Sequence, residues 1–308
     1  MFKVINEKIN HSVLNFNPLS NVYGLARSFI ALGTLVTLLF NSTDTLFRPM
    51  AGIDDYPSGI GAISLFNLVP NETIYLTIVK WLFVIGLIVI MSGWRPRYTG
   101  ILHWYIAYSF NTAAATLDGG DQVAVVLTFL LIPITLADSR KWHWDRADLP
   151  SEGHKVFTAV PYFFIRVQVA VIYFHSTIAK LFNPEWRDGT AVYYYLNDPM
   201  LGLNDIFLTL VNPILNGPLV VLPTWGTLIL QFVLFAAFFA PKSAWNYYLI
   251  IGIVMHEIFA LMLGLASFSI TMIGALILYL RPLDQPFKFF KGGDAYKEEE
   301  PIYLERAS

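Results

Sequence analysis

FTAVPYFFIRVQVAVIYFHSTIAKLFNPEWRDGTAVYYYLN, residues 157–197, decides how the chain is read. Its first half is as apolar as a membrane helix, yet Arg166, Gln168, His175 and Lys180 lie within or at the edge of the span. Polar groups in hydrocarbon cost a few kcal/mol each, so they face protein, water or a ligand. A helix loaded in this way is expected at the centre of a bundle. At about 100° per residue, Arg166, Tyr173, Thr177 and Lys180 share one stripe and Gln168 and His175 the opposite face, so both faces call for protein neighbours. Arg166 and Lys180 stand about 20 Å apart along the axis, which assigns them to different sites.

The rest of the chain agrees with a membrane reading. Of 308 residues 56% are hydrophobic and only 14% charged, where soluble domains carry about 25% charged residues. A net charge of −2 with scattered basic residues gives no reason to expect nucleic acid as a partner. The chain has no cysteine, which excludes disulfides, thiolate metal sites and a cysteine nucleophile.

Apolar runs place eight spans at about 22–41, 73–93, 98–117, 122–137, 157–182, 218–240, 245–263 and 266–281. The first lacks a small-residue cleavage site and reads as a retained span. Residues 1–21 read as an interfacial segment, 42–72 as a loop too apolar to be fully solvated, 183–215 as a long wet connection, and 282–308 as a polar tail. Fourteen of the twenty Lys and Arg fall on the side of the termini and the 138–156 loop, and only Arg48 and Arg187 on the other. The positive-inside rule then puts both termini in the cytoplasm and Lys180 at the outer face. The expectation is an all-α, polytopic, eight-span bundle forming one domain over residues 1–308, in the cell membrane.

The ionisable groups inside the spans are unbalanced: Arg27, Lys80, Arg166 and Lys180 face Glu257 as the one embedded acid. Two readings are open. Lys80 and Lys180 snorkel to the outer interface, or the bundle binds something anionic. A lysine sheltered from water is a ready proton acceptor, whereas a lysine ending a helix at the head-group level is merely solvated. His256 and Glu257 point about 100° apart and lack the second His of the HExxH zinc motif, so no metal is expected. His256 reads as an interhelical hydrogen-bonding group or a proton carrier, and Glu257 as the structural partner of Arg166 or Arg27. The turn Asp118-Gly119-Gly120-Asp121 is too short for a Ca²⁺ loop, but its acids are placed to face Lys180 across the outer mouth. His143 and His154 read as solvated, and His103, within HWY, as part of an interfacial belt.

Several pieces carry a family resemblance. They are Gly24-Leu25-Ala26-Arg27, Asp118-Gly119-Gly120-Asp121, the Arg140 to Asp145 segment, Tyr173…Lys180-Leu181…Trp186…Gly189-Thr190-Ala191, and His256 ahead of Gly264 and Phe268. In this order they resemble the HTTM-domain family, bacterial relatives of vitamin K-dependent γ-glutamyl carboxylase, and within it the SdpB-like proteins of peptide-toxin maturation. The resemblance implies Lys180 as the base, reduced vitamin K or menaquinone as cofactor, and a secreted peptide precursor, a small SdpA-like protein and membrane lipid as partners. The chain departs from the carboxylase in lacking its large C-terminal soluble region and in having Gly120-Asp121 near the place of a carboxylase histidine.

The functional expectation is a γ-carboxylase-like membrane enzyme, or subunit of one, that matures a secreted peptide at the outer face. Lys180, His256 and His175 are the candidate catalytic residues. Tyr173, Thr177, Trp186, Asp118, Asp121, Glu257 and Arg166 are candidates for binding. The alternative is a non-catalytic partner that presents the precursor to a protease or exporter.

Overall fold

The computed structural model describes residues 17–48, 61–145, 151–199 and 202–287. The expected interfacial segment therefore lies outside the described residues over 1–16, and the polar tail over 288–308. Nine longer helices organise the described chain: α1 Asn21–Phe40, α2 Thr73–Ser92, α3 Pro96–Ala113, α4 Gly119–Ala137, α5 Glu152–Leu181, α6 Asp205–Leu215, α7 Val221–Ala236, α8 Trp245–Leu263 and α9 Ala266–Leu280. No strand is formed among the described residues.

Local chemistry sets the ends of these helices. Ser20 caps α1 by accepting from the Val22 amide. Gly93 closes α2 in the left-handed region at φ 84°, and Pro96 opens α3 where its missing N–H costs nothing. Asp118 and Asp121 form a reciprocal capping box at the start of α4, so the DGGD turn is first of all a helix start. Six helical segments are long and apolar enough to cross a membrane. Of the eight expected spans, α3 is interrupted by Arg97, His103 and Asn111, and α9 has 15 residues.

The centre of the bundle is α9, not the polar helix α5. Met272, Ala275, Leu276, Ile277, Leu278, Tyr279 and Leu280 are all at most 4% exposed, whereas only 28% of the apolar window of α5 is buried. Small residues admit α9 so deeply: a Cβ added at Gly274 would stand 2.6 Å from the Ala26 carbonyl oxygen, and one at Gly33 would collide with Thr271. Helix α9 packs on α1, α4, α5 and α8. A second cluster joins α1, α2 and α3 to the 42–72 loop, whose Leu46, Phe47 and Phe66 are buried there, as its apolar content requires.

The 183–215 connection is not a wet loop. It folds into the short helices Pro184–Arg187 and Ala191–Leu196 and the amphipathic α6, which buries Leu215 and leaves Ile206, Phe207 and Leu210 exposed.

Candidate functional site

A cavity of about 480 Å³ lies between α5, α7, α8 and α9. The folded connection supplies one wall through Trp186, Tyr195, Leu196 and the α6 residues Val211, Ile214 and Leu215. Lys180, in the last turn of α5, lines this space. Its Nζ donates to Ser176 Oγ at 2.7 Å and to the Ser176 carbonyl at 3.3 Å, and stands 5.4 Å from the centre of the Trp186 ring. Ser176 is four residues back on the helix, so its oxygens meet the lysine one turn on. Its hydroxyl in turn donates to Gln231 Oε1 of α7 at 3.2 Å. Among the described residues Lys180 forms no ion pair.

The deep end of the cavity holds Tyr173 and His256. The tyrosine hydroxyl and His256 Nε2 are 2.9 Å apart, and both residues are only 2% exposed. Phe259 and Phe268 present their edges to the imidazole at 5.9 and 5.3 Å. Nδ1 of His256 has no hydrogen-bond partner among the described residues. Tyr173 and Lys180 are seven residues apart, about 10.5 Å along α5, so the cavity runs from a hydroxyl–imidazole pair inside the bundle to an amine at the helix end. Met262, Met272 and Leu263 complete an otherwise apolar lining.

Of the residues singled out from sequence, Lys180, Tyr173, Trp186 and His256 are thus brought together. Thr177 is buried beside them, but its hydroxyl is taken by the Tyr173 carbonyl at 2.9 Å. His175 is exposed on the outer face of α5 and does not reach the cavity. The expectation that both faces of this helix need protein neighbours therefore fails, because only one side of α5 packs. Glu257 is also turned outward and accepts from Ser269 Oγ at 2.9 Å. It pairs with neither arginine. Arg166 lies over Trp245 with Nε on the Tyr279 carbonyl, and Arg27 is fully buried with Nη2 on Thr99.

Asp118 and Asp121 do not face Lys180. Asp118 accepts from the Gly120 and Asp121 amides and from Ser267 Oγ at 2.7 Å. The turn packs behind Phe268, where a Cβ at Gly119 would stand 3.2 Å from the ring, and so supports a cavity wall without entering it. Lys80 is 6% exposed and reaches the end of α1, where it donates to the Asn41 carbonyl.

At the opposite end two histidines are buried contrary to expectation. His103 is 1% exposed and His143 0%. His143 fits against Gly24 and Gly93, while Asp138 beside it is fully buried, held by Tyr23 and bidentately by Arg140. Burial, with the Arg27 and Arg140 cations nearby, holds the His143 imidazole well below the ordinary histidine range. The side chain of His154 lies outside the described residues.

Sequence reasoning missed Ser176, Gln231 and Phe259. Ser176 was legible as the residue one turn before a helix-ending lysine, and Gln231 as a polar group inside an apolar run.

Comparison with known proteins finds two relatives from Bacillus subtilis (strain 168). The chain is 52% identical to the uncharacterized protein YitO over 277 residues, covering 89% of each chain. It is 38% identical to the sporulation-delaying protein SdpB over 285 residues, covering 92% of this chain and 88% of SdpB. No family model matches the chain. No solved structure matches it.

Proposed function

The chain belongs to the SdpB family, and from that membership we propose that it is an integral membrane component of peptide-toxin maturation, working through the cavity that ends at Lys180. One observation carries the reading. An amine with no carboxylate partner among the described residues is held inside an apolar pocket by a serine that is itself oriented by Gln231. A neutral amine has two N–H donors, and Ser176 accepts both through Oγ and its carbonyl. The nitrogen lone pair is then left for the cavity, which is the arrangement a general base needs. Tyr173 and His256 offer a second proton-handling pair about 10.5 Å deeper.

The lining also fits a reduced vitamin K or menaquinone head group: aromatic and methionine walls for a flat apolar ring, with polar groups at its two ends. Such a group, when bound, supplies reducing equivalents that side chains lack. Lys180 and the Tyr173–His256 pair would orient it, and Phe259, Phe268 and Trp186 would exclude water. The γ-carboxylase-like reading, within the HTTM resemblance, follows from this fit and from the position of Lys180. The precursor peptide and a small SdpA-like protein are the partners this reading needs.

Replacing Lys180 with Met, in cells that still insert the protein, abolishes maturation of the cognate peptide on this account. Normal maturation by that variant, with a mature peptide of unmodified mass, would leave the non-catalytic presenting role.

A further inference from the structure

The far end of α5 carries a cationic recess that the cavity does not use. Arg166 stands 14 residues into α5, about 21 Å from its first residue. Yet its guanidinium lies 3.9 Å over the ring of Trp245, the first residue of α8, and its Nε donates to the Tyr279 carbonyl near the end of α9 at 3.1 Å. The turn joining α7 to α8 meets α5 at Arg166 and at Phe163, whose ring stands 6.2 Å from that of Phe238. Phe157, Val160, Phe163 and Phe164 are exposed along this end of α5.

Two further cations border this step. Arg281 donates to Asn246 Oδ1 at 3.0 Å and to the Gln285 carbonyl at 3.1 Å. Lys242 stands 3.5 Å from Asp284, with both side chains open to solvent. Among the described residues neither Arg166 nor Arg281 has a carboxylate within ion-pair distance. Among the described residues Arg166 Nη2 and Arg281 Nε have no hydrogen-bond partner. With Asp284 matched by Lys242, a net charge of two remains at the edge of an apolar bundle, on the end that the lysine and arginine count assigns to the cytoplasm. An unmatched guanidinium at that depth is costly, and an oxyanion reaching in from the membrane removes the cost. The exposed Tyr247, in the first turn of α8, marks the head-group level.

We propose that Arg166, Arg281 and Lys242 bind the phosphate of an anionic phospholipid whose acyl chains lie along the exposed Phe157, Val160, Phe163 and Phe164 face. Basic recesses between helices on the cytoplasmic side take such head groups, and each cation contributes about a fivefold preference.

The test uses the full chain in nanodiscs, with native mass spectrometry counting retained phosphatidylglycerol against phosphatidylcholine, and melting curves run with each lipid. Wild type retains phosphatidylglycerol. Lys242→Gln and Arg281→Gln each lower the preference about fivefold, and the double variant lowers it further. These two decide the matter even if Arg166→Gln fails to fold, because Lys242 is exposed and the Arg281 hydrogen bonds to Asn246 and the Gln285 carbonyl lie at the surface. Inorganic phosphate at equal concentration gives no melting shift. An unchanged preference in the double variant overturns the proposal, and so does equal protection by inorganic phosphate.

Discussion

Substituting Gly274 by Ala tests whether α9 is the axis on which the bundle closes. The added Cβ would stand 2.6 Å from the Ala26 carbonyl oxygen, 2.7 Å from Ile30 Cγ1 and 3.0 Å from the Ile30 amide nitrogen. Two of these atoms are backbone, so no rotamer change relieves the clash. Helix α1 must retreat by roughly 0.8 Å to restore ordinary contact, and a gap of 0.5–1 Å forfeits a quarter to a half of each dispersion contact along the interface. Overpacking of this kind costs about 1–3 kcal/mol, and two unyielding backbone contacts on α1 put it at about 3. At about 2 °C per kcal/mol for a chain this long, thermal unfolding of the detergent-solubilised protein should fall by about 6 °C. Gly226→Ala is the control: nothing lies within 4 Å of its Cβ in the interior of α7, so it should stabilise by about 0.5–1 kcal/mol. If Gly274→Ala melts within a degree of wild type, α9 does not pack on α1 as described and the bundle is wrongly ordered.

Two further outcomes follow from the polar contacts. Ser176→Ala removes the 2.7 Å hydrogen bond that orients the neutral Lys180 amine; such a bond contributes about 0.5–1.5 kcal/mol. The rate of peptide maturation should therefore drop by about two- to tenfold while the protein level in the membrane is unchanged, and an undiminished rate would show that the serine does not position the amine. His143 stays neutral in the fold because burial and the neighbouring Arg27 and Arg140 hold its pKa down. The unfolded chain therefore binds the extra proton first, and stability is lost as pH falls below about 6.5, by up to about 1.4 kcal/mol per pH unit. Melting at pH 7.5 and 5.5 should show this loss in wild type and a smaller one in His143→Gln; equal losses would mean that another group carries the acid sensitivity.

The helices were legible because apolar runs of membrane length are bounded by strong punctuation. Gly93 and Pro96 mark one turn, Asp118 and Asp121 another, and Gly264 a third. Which helix sits inside was not legible, because lipid and protein interior both accept Leu and Ile and apolar periodicity does not distinguish them. Polar side chains on α5 suggested a central helix, but His175 faces outward and α9, which carries no charged residue, holds the centre. Lys180 and Ser176 share one helix, so their contact follows from local spacing. Tyr173 and His256 are 83 residues apart, and no local rule pairs them. His143 looked solvated because its segment is polar, whereas tertiary packing against Gly24 and Gly93 buries it. The wall formed by α6 was hidden in a stretch whose Asn, Asp and Pro content reads as loop.

Selective labelling of Lys180 bears most directly on the idea that a sheltered, unpaired amine sits in an apolar cavity. The protein in nanodiscs is treated separately with an uncharged, apolar acylating reagent and with its sulfonated counterpart, and modification is read peptide by peptide by mass spectrometry. Lys242, whose side chain is 61% exposed, should react with both. Lys180 should react with the apolar reagent and resist the sulfonated one. Equal labelling of the two lysines by the sulfonated reagent would place the amine in open water and remove the basis for its role.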